Sequence, residues 1–117
     1  MDIESFRAYC LAKKGVTEEQ PFGPDNLVYK VMGKMFAICG IENFDFVNLK
    51  CDPERAIELR EQYDAIKPGY HMSKVHWNSV YMDAGLHPGL VTELIDHSYE
   101  LIVASLTKKL QKELAEL

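Results

Sequence analysis

Apolar residues open the chain at helical spacing: Ile3, Phe6 and Cys10, with Tyr9 beside them, give residues 3 to 14 one face suited to a core. Asp2 is a capping residue type in front of that stretch, and Lys13, Lys14 and Gly15 end it. Residues 16 to 26 contain two prolines and a glycine and predict an irregular connection, with room for a short strand at its start. The period then changes to two. Leu27, Tyr29 and Val31 share one side of a strand and Val28, Lys30 and Met32 the other. Gly33 marks a tight hairpin into a second strand, Lys34 to Ile41. Glu42-Asn43 turns the chain again before Phe44 to Lys50, where Val47 and Leu49 alternate with solvent-type neighbours and Phe46 breaks the pattern.

Asp52-Pro53 is a strong helix start, with an acceptor side chain at the cap and proline where no N–H is needed. Ala56, Leu59 and Tyr63 line one face of that helix, which ends near Asp64. Ile66 to Val75 predicts a loop, and His76 to Met82 a further strand. His87-Pro88 opens the longest helix, over residues 88 to 105, with Leu90, Val91, Leu94, Ile95, Leu101 and Ile102 as its apolar stripe. Thr107 can cap a final turn or two, residues 108 to 116. The order α-βββ-α-β-α predicts a single compact α+β domain over residues 1–117, an antiparallel sheet with helices packed on one face.

Composition narrows the function classes. Of the 117 residues 47% are hydrophobic and 26% charged, which excludes wholesale disorder. Thirteen Lys and Arg against eighteen Asp and Glu give a net charge of −5, which argues against a nucleic-acid coat or a polybasic membrane binder. The N-terminus opens with acids, Arg7, Lys13 and Lys14 interrupt the segment behind it, and the uncharged runs are short. Neither a secretory segment nor a membrane span is expected. Cys10, Cys39 and Cys51 are odd in number and form no Cys-x-x-Cys, which predicts buried free thiols in a reducing cytosol.

Candidate chemistry is sparse. His71 and His76 are five residues apart, not the helical pairing of a zinc protease, and His87 and His97 stand alone. There is no nucleophile elbow and no glycine-rich phosphate loop. A remote Cys51–His71 pair stays open in one dimension, beside the simpler reading of Cys51 as a small buried hydrophobe. A non-enzymatic, monomeric protein without cofactor or metal is expected. Two segments are free of acids: residues 26 to 41, with Lys30 and Lys34, and residues 65 to 82. The second holds Lys67, Tyr70, His71, Lys74, His76, Trp77 and Asn78. Cations beside aromatics are what phosphate contact and base stacking require; the alternative is that Tyr70 and Trp77 pack a sheet edge and the lysines are simply solvated.

These residues also carry a resemblance. Pro21-Phe22-Gly23-Pro24-Asp25, Leu27-Val28-Tyr29-Lys30-Val31 and Gly33-Lys34-Met35-Phe36-Ala37 resemble the first signature of the MmcQ/YjbR family. Asn48-Leu49-Lys50-Cys51-Asp52-Pro53, then Pro68-Gly69-Tyr70-His71-Met72 with Lys74 and His76-Trp77-Asn78, resemble the second and third; Leu94-Ile95-Asp96-His97-Ser98-Tyr99 fits as well. The resemblance implies a CyaY-like (frataxin-like) fold and DNA binding through a double-wing arrangement of β-hairpins. The wings would be residues 27–41 and 67–80. Three expectations follow. One is weak, salt-dependent duplex binding by Lys30, Lys34, Lys67 and Lys74, with His71 or Trp77 near sugar or base and Tyr70, His76 and Asn78 beside them. Another is frataxin-like metal binding through carboxylates. The last is a protein- or small-ligand-binding module built on the Tyr70/His71/Trp77 cluster.

Overall fold

A computed structural model describes residues 1–117. Six antiparallel strands form one sheet, and every helix lies on the same side of it. The elements are α1 (Ile3–Leu11), β1 (Val16–Glu19), β2 (Asn26–Val31), β3 (Lys34–Gly40), β4 (Phe46–Lys50), α2 (Pro53–Gln62), β5 (Ile66–Pro68), β6 (Trp77–Tyr81), α3 (Pro88–Ser105) and α4 (Lys108–Ala115). The sheet order is β1-β2-β3-β4-β6-β5. No helix is long and apolar enough to cross a membrane.

The local signals explain most of these boundaries. Asp2, Asp52 and Thr107 each accept a backbone N–H three residues on, which caps α1, α2 and α4. Pro53 and Pro88 occupy the first turns of their helices, where the missing N–H costs nothing. The β2–β3 hairpin turns on Met32 (φ 49°) and Gly33 (φ 86°), the pair of positive φ values that a two-residue hairpin loop needs to match strand twist. Between Tyr29 opposite Ala37 and Lys30 opposite Met35, Phe36 is an extra residue, so β3 carries a bulge.

On the helix side Leu27, Tyr29 and Val31 from β2, Phe36, Ala37 and Cys39 from β3, Val47 and Leu49 from β4 and Val80 from β6 meet Phe6, Cys10, Ala56, Leu59, Leu94, Ile95 and Ile102 from the helices. Phe6 meets Tyr29 edge to face at 5.5 Å, and Phe36 meets Tyr99 in the same way. Polar ties fasten the helix layer. The Tyr9 hydroxyl donates to Asp96 at 2.7 Å, Lys13 pairs with the same carboxylate, and Arg7 makes a two-pronged bond to Glu18, which also accepts from Tyr29.

Three expectations need correction. The chain order is α-ββββ-α-ββ-α-α, because residues 16–19 pair along β2 and residues 66–68 pair along β6. Ile66–Pro68 was expected as loop; three residues ending in proline carry no period of their own, and only an edge position tolerates Pro68. Helix α1 stops at Leu11 rather than residue 14, since Lys13 turns toward Asp96 and the Lys14 carbonyl accepts from the Tyr99 hydroxyl at 2.6 Å.

One tie is titratable. His97 Nε2 accepts the backbone N–H of Asp52, the α2 cap, at 3.2 Å, and only a neutral imidazole nitrogen can accept. Burial, followed by the charge of Arg55, holds the His97 pKa below its ordinary value. A depressed histidine pKa adds stability that is complete above the unfolded-state value, about 6.5, and lost as pH falls through the lower folded-state value. The urea midpoint is expected to drop as pH falls below about 6.5, and His97→Gln, which keeps an acceptor that does not titrate, should remove part of that slope. An unchanged slope in the variant would show that other groups set it.

Candidate ligand groove

Alternation along the strands sends a second set of side chains to the side away from the helices. Phe46 lies opposite Tyr81, Asn48 opposite Ser79 and Lys50 opposite Trp77, so all six share that face. No helix covers it. The segment between β5 and β6 folds back over it instead. Gly69 N–H donates to the Trp77 carbonyl at 2.9 Å and Trp77 N–H to the Ser73 carbonyl at 2.9 Å. Glycine is required at 69, because a Cβ there would come within 2.8 Å of the Trp77 Cβ and 3.0 Å of its carbonyl oxygen.

Asn48 and Ser79 anchor the returning loop. Asn48 Nδ2 donates to the Tyr70 carbonyl at 3.0 Å, Tyr70 N–H donates to Ser79 Oγ at 2.9 Å, and Ser79 Oγ donates back to Asn48 Oδ1. With both its backbone groups held, Tyr70 lays its ring edge to face on Phe46 at 5.9 Å, and the His71 ring sits 4.0 Å from it. His71 takes a left-handed φ of 59°, a conformation uncommon outside glycine but less so for histidine. Phe46 also contacts Tyr81 at 5.1 Å.

Beside this aromatic wall lies a groove of about 640 Å³, in the range of small-molecule sites. Phe22, Met35, Ile38, Phe46 and Met72 supply its apolar lining, and Asn26, Asn43, Asn48, Asp25 and Glu42 join Tyr70 and His71 as its polar groups. Tyr70 is 58% exposed and Phe22 65%, so both rings keep surface open to a ligand.

The residues singled out in the sequence disperse. Tyr70 and His71 line the groove. Trp77 does not; the Gly69–Ser73 loop leaves it only 9% exposed, so it is not free for stacking. Asn78 is 2% exposed and faces the helices, because it pairs with Leu49; it accepts from Arg60 Nε at 2.7 Å and donates to the Ala56 carbonyl. Both are buried within the chain, where they pack or bond to its own groups. Lys30 pairs with Glu19 at 3.2 Å. Lys34 reaches the Ser105 carbonyl at the end of α3, which places it on the helix side. Lys74 bonds the Gly69 carbonyl at 2.9 Å. Lys67 stands exposed on β5, four strand positions from Lys30, or about 19 Å at the usual strand spacing. His76 is exposed, and its carbonyl accepts from Cys51 N–H.

Cys51 and His71 are not partners. Cys51 belongs to the helix-side core, whereas His71 lines the groove. Burial pushes the Cys10 and Cys39 thiols up to about 12 and raises that of Cys51. Among the acids of the first helix and the edge strand β1, Asp2 caps α1, while Glu18 and Glu19 are held by Arg7 and Lys30.

The groove residues Phe22, Met35, Ile38, Asn48 and Met72 were not singled out from sequence. A signal existed: Phe46 breaks the alternation of β4, and Met35 and Ile38 add apolar residues to the second side of the hairpin. Apolar residues on both faces of a strand mean that both faces are partly covered.

Comparison with known proteins agrees with this architecture. The YjbR family model matches residues 11–101. YbdF of Escherichia coli O157:H7 is 42% identical over 93 residues, covering 79% of this chain and 76% of YbdF. YjbR of Escherichia coli strain K12 is 34% identical over 118 residues, covering 100% of both chains. The crystal structure of the Deinococcus radiodurans protein DR2400 superposes with a TM-score of 0.90 at 35% identity, covering 97% of this chain and 87% of that one. A Pseudomonas syringae crystal structure follows with a TM-score of 0.74 at 28% identity, covering 86% of this chain and 98% of that one. By its family match, its curated relatives and its fold, this chain belongs to the YjbR family.

Proposed function

We propose that this chain is a non-catalytic binding module whose open-face groove holds a small ligand with an apolar body. The observation that carries this reading is the positioned aromatic wall. Both backbone groups of Tyr70 are tied to Asn48 and Ser79, yet its ring is left open beside the groove. Fixing a ring without burying it lowers the ordering cost of binding and leaves apolar surface to be covered.

Duplex binding, the finer expectation drawn from the family resemblance, has less support. In a double-wing pose the β2–β3 hairpin and residues 67–80 would face the backbone. Of the four lysines, Lys30, Lys34 and Lys74 are engaged within the chain, and Lys67 alone has no side-chain partner. Affinity for a duplex scales with the number of phosphates neutralised, and one free lysine in a chain of net charge −5 neutralises few.

An amide-resolved NMR titration with small aromatic fragments tests the proposal. Shifts are expected to centre on Asn48, Tyr70, His71 and Met72. Tyr70→Ala should weaken binding about tenfold, the loss of roughly 1.4 kcal/mol of contact, while the urea midpoint changes little. Shifts confined to other regions would overturn the groove reading. Saturable, salt-dependent duplex binding that disappears in Lys67→Glu would establish the other.

A further inference from the structure

Given a ligand-binding groove on the open face, we infer that it selects small organic cations, aromatic or quaternary ammonium compounds, over neutral and anionic ligands; this inference rests on the groove reading. Two features of the lining agree on the sign of charge. The carboxylates Asp25 and Glu42 line the groove, and no lysine or arginine does. Neither carboxylate takes part in any of the ion pairs of the chain, so their charge is not cancelled by a neighbour. Independently, the open rings of Phe22 and Tyr70 present π faces, whose negative quadrupole attracts a cation.

The two features act on different parts of such a ligand. Met35, Ile38 and Met72 give an apolar floor against which a hydrocarbon body can lose its water. A diffuse ammonium charge sheds its hydration easily enough to sit on aromatic faces, and the carboxylates supply longer-range attraction that weakens with salt. For a phosphate or carboxylate ligand the same acids are repulsive, which discriminates by exclusion as well as by attraction.

The test compares three probes that share a phenyl ring. Phenyltrimethylammonium is the cation, tert-butylbenzene its neutral isostere and benzoate an anion. Each is titrated into the whole chain and followed by amide NMR. The cation is expected to shift Asp25, Tyr70 and Met72 and to bind at least about tenfold more tightly than the isostere, a difference of about 1.4 kcal/mol. Asp25→Asn with Glu42→Gln should cut that preference several-fold and remove its salt dependence, the remainder belonging to the ring faces of Phe22 and Tyr70. The fold should survive, since neither carboxylate bonds within the chain. Equal binding of cation and isostere, or tighter binding of benzoate, overturns the charge selection and leaves the groove standing. If none of the three shifts groove residues, the groove reading falls with it.

Discussion

Replacing Ser98 with alanine is expected to lower stability by about 2–4 kcal/mol, because the buried Phe36 carbonyl loses its partner at about 1–3 kcal/mol and the half-buried Lys50 N–H loses its own at about 1 kcal/mol, the low end of that range. Ser98 sits on α3, is 0% exposed and faces the point where the β3–β4 ladder stops. That ladder runs from Cys39 opposite Val47 to Ala37 opposite Leu49. The next pair would be Phe36 with Lys50, but the bulge at Phe36 takes it out of register. The Ser98 hydroxyl fills the gap. It accepts Lys50 N–H at 2.9 Å and donates to the Phe36 carbonyl at 2.6 Å. Alanine supplies neither bond and leaves no room for a compensating water. In urea the midpoint should fall with its slope unchanged, and Tm should fall by on the order of 10 °C. A loss under about 0.5 kcal/mol would mean that the two strands close the gap themselves.

The bulge also shows where sequence reasoning stops. Helix α3 is legible to its ends, since His87-Pro88 marks its entry and the apolar stripe runs to Ile102. The hairpin turn is legible because Gly33 follows a strand of period two. The serine is not, because nothing local in the chain says that Phe36 will be unpaired. Nor are β1 and β5, whose four and three residues are held only by their neighbours. The candidate site divides in the same way. Alternation alone allows Trp77 to be assigned to one face and Asn78 to the other, but which of those faces a loop covers depends on the return of residues 69–76. Acid-free segments are visible in the chain, yet the lysines within them part company once register sends Lys34 to the helix side and Lys30 to Glu19. The groove arises where apolar residues disobey the pattern, at Phe46, Met35 and Ile38, and such departures are where function is expected to intrude on folding.

The second large effect is expected from Arg60→Ala, and it joins the helix layer to the groove. Arg60 lies on α2, outside the groove lining, and reaches the strand it packs against. Its Nε donates to Asn78 Oδ1 at 2.7 Å, and its Nη2 donates to the Lys74 carbonyl and, more loosely, to that of Trp77 at 3.4 Å. One planar fork thus closes both the start of β6 and the loop that carries Tyr70, His71 and Met72. Removing it leaves a buried amide oxygen without its donor and frees the loop end, for about 2–3 kcal/mol given that bonds to charged groups are the stronger kind. Arg60→Lys should recover less than half, because an ammonium cannot reach both acceptors in that plane. Hydrogen exchange decides whether the effect is local. The amides of Gly69, Met72 and Trp77 should exchange faster relative to those of β2 and β3, and phenyltrimethylammonium should bind more weakly although Arg60 never touches it. Wild-type exchange across residues 69–77 with unchanged affinity would show that Asn48 and Ser79 alone hold the aromatic wall. A looser loop with weaker binding would show that the groove owes its shape to a side chain on the far side of the sheet.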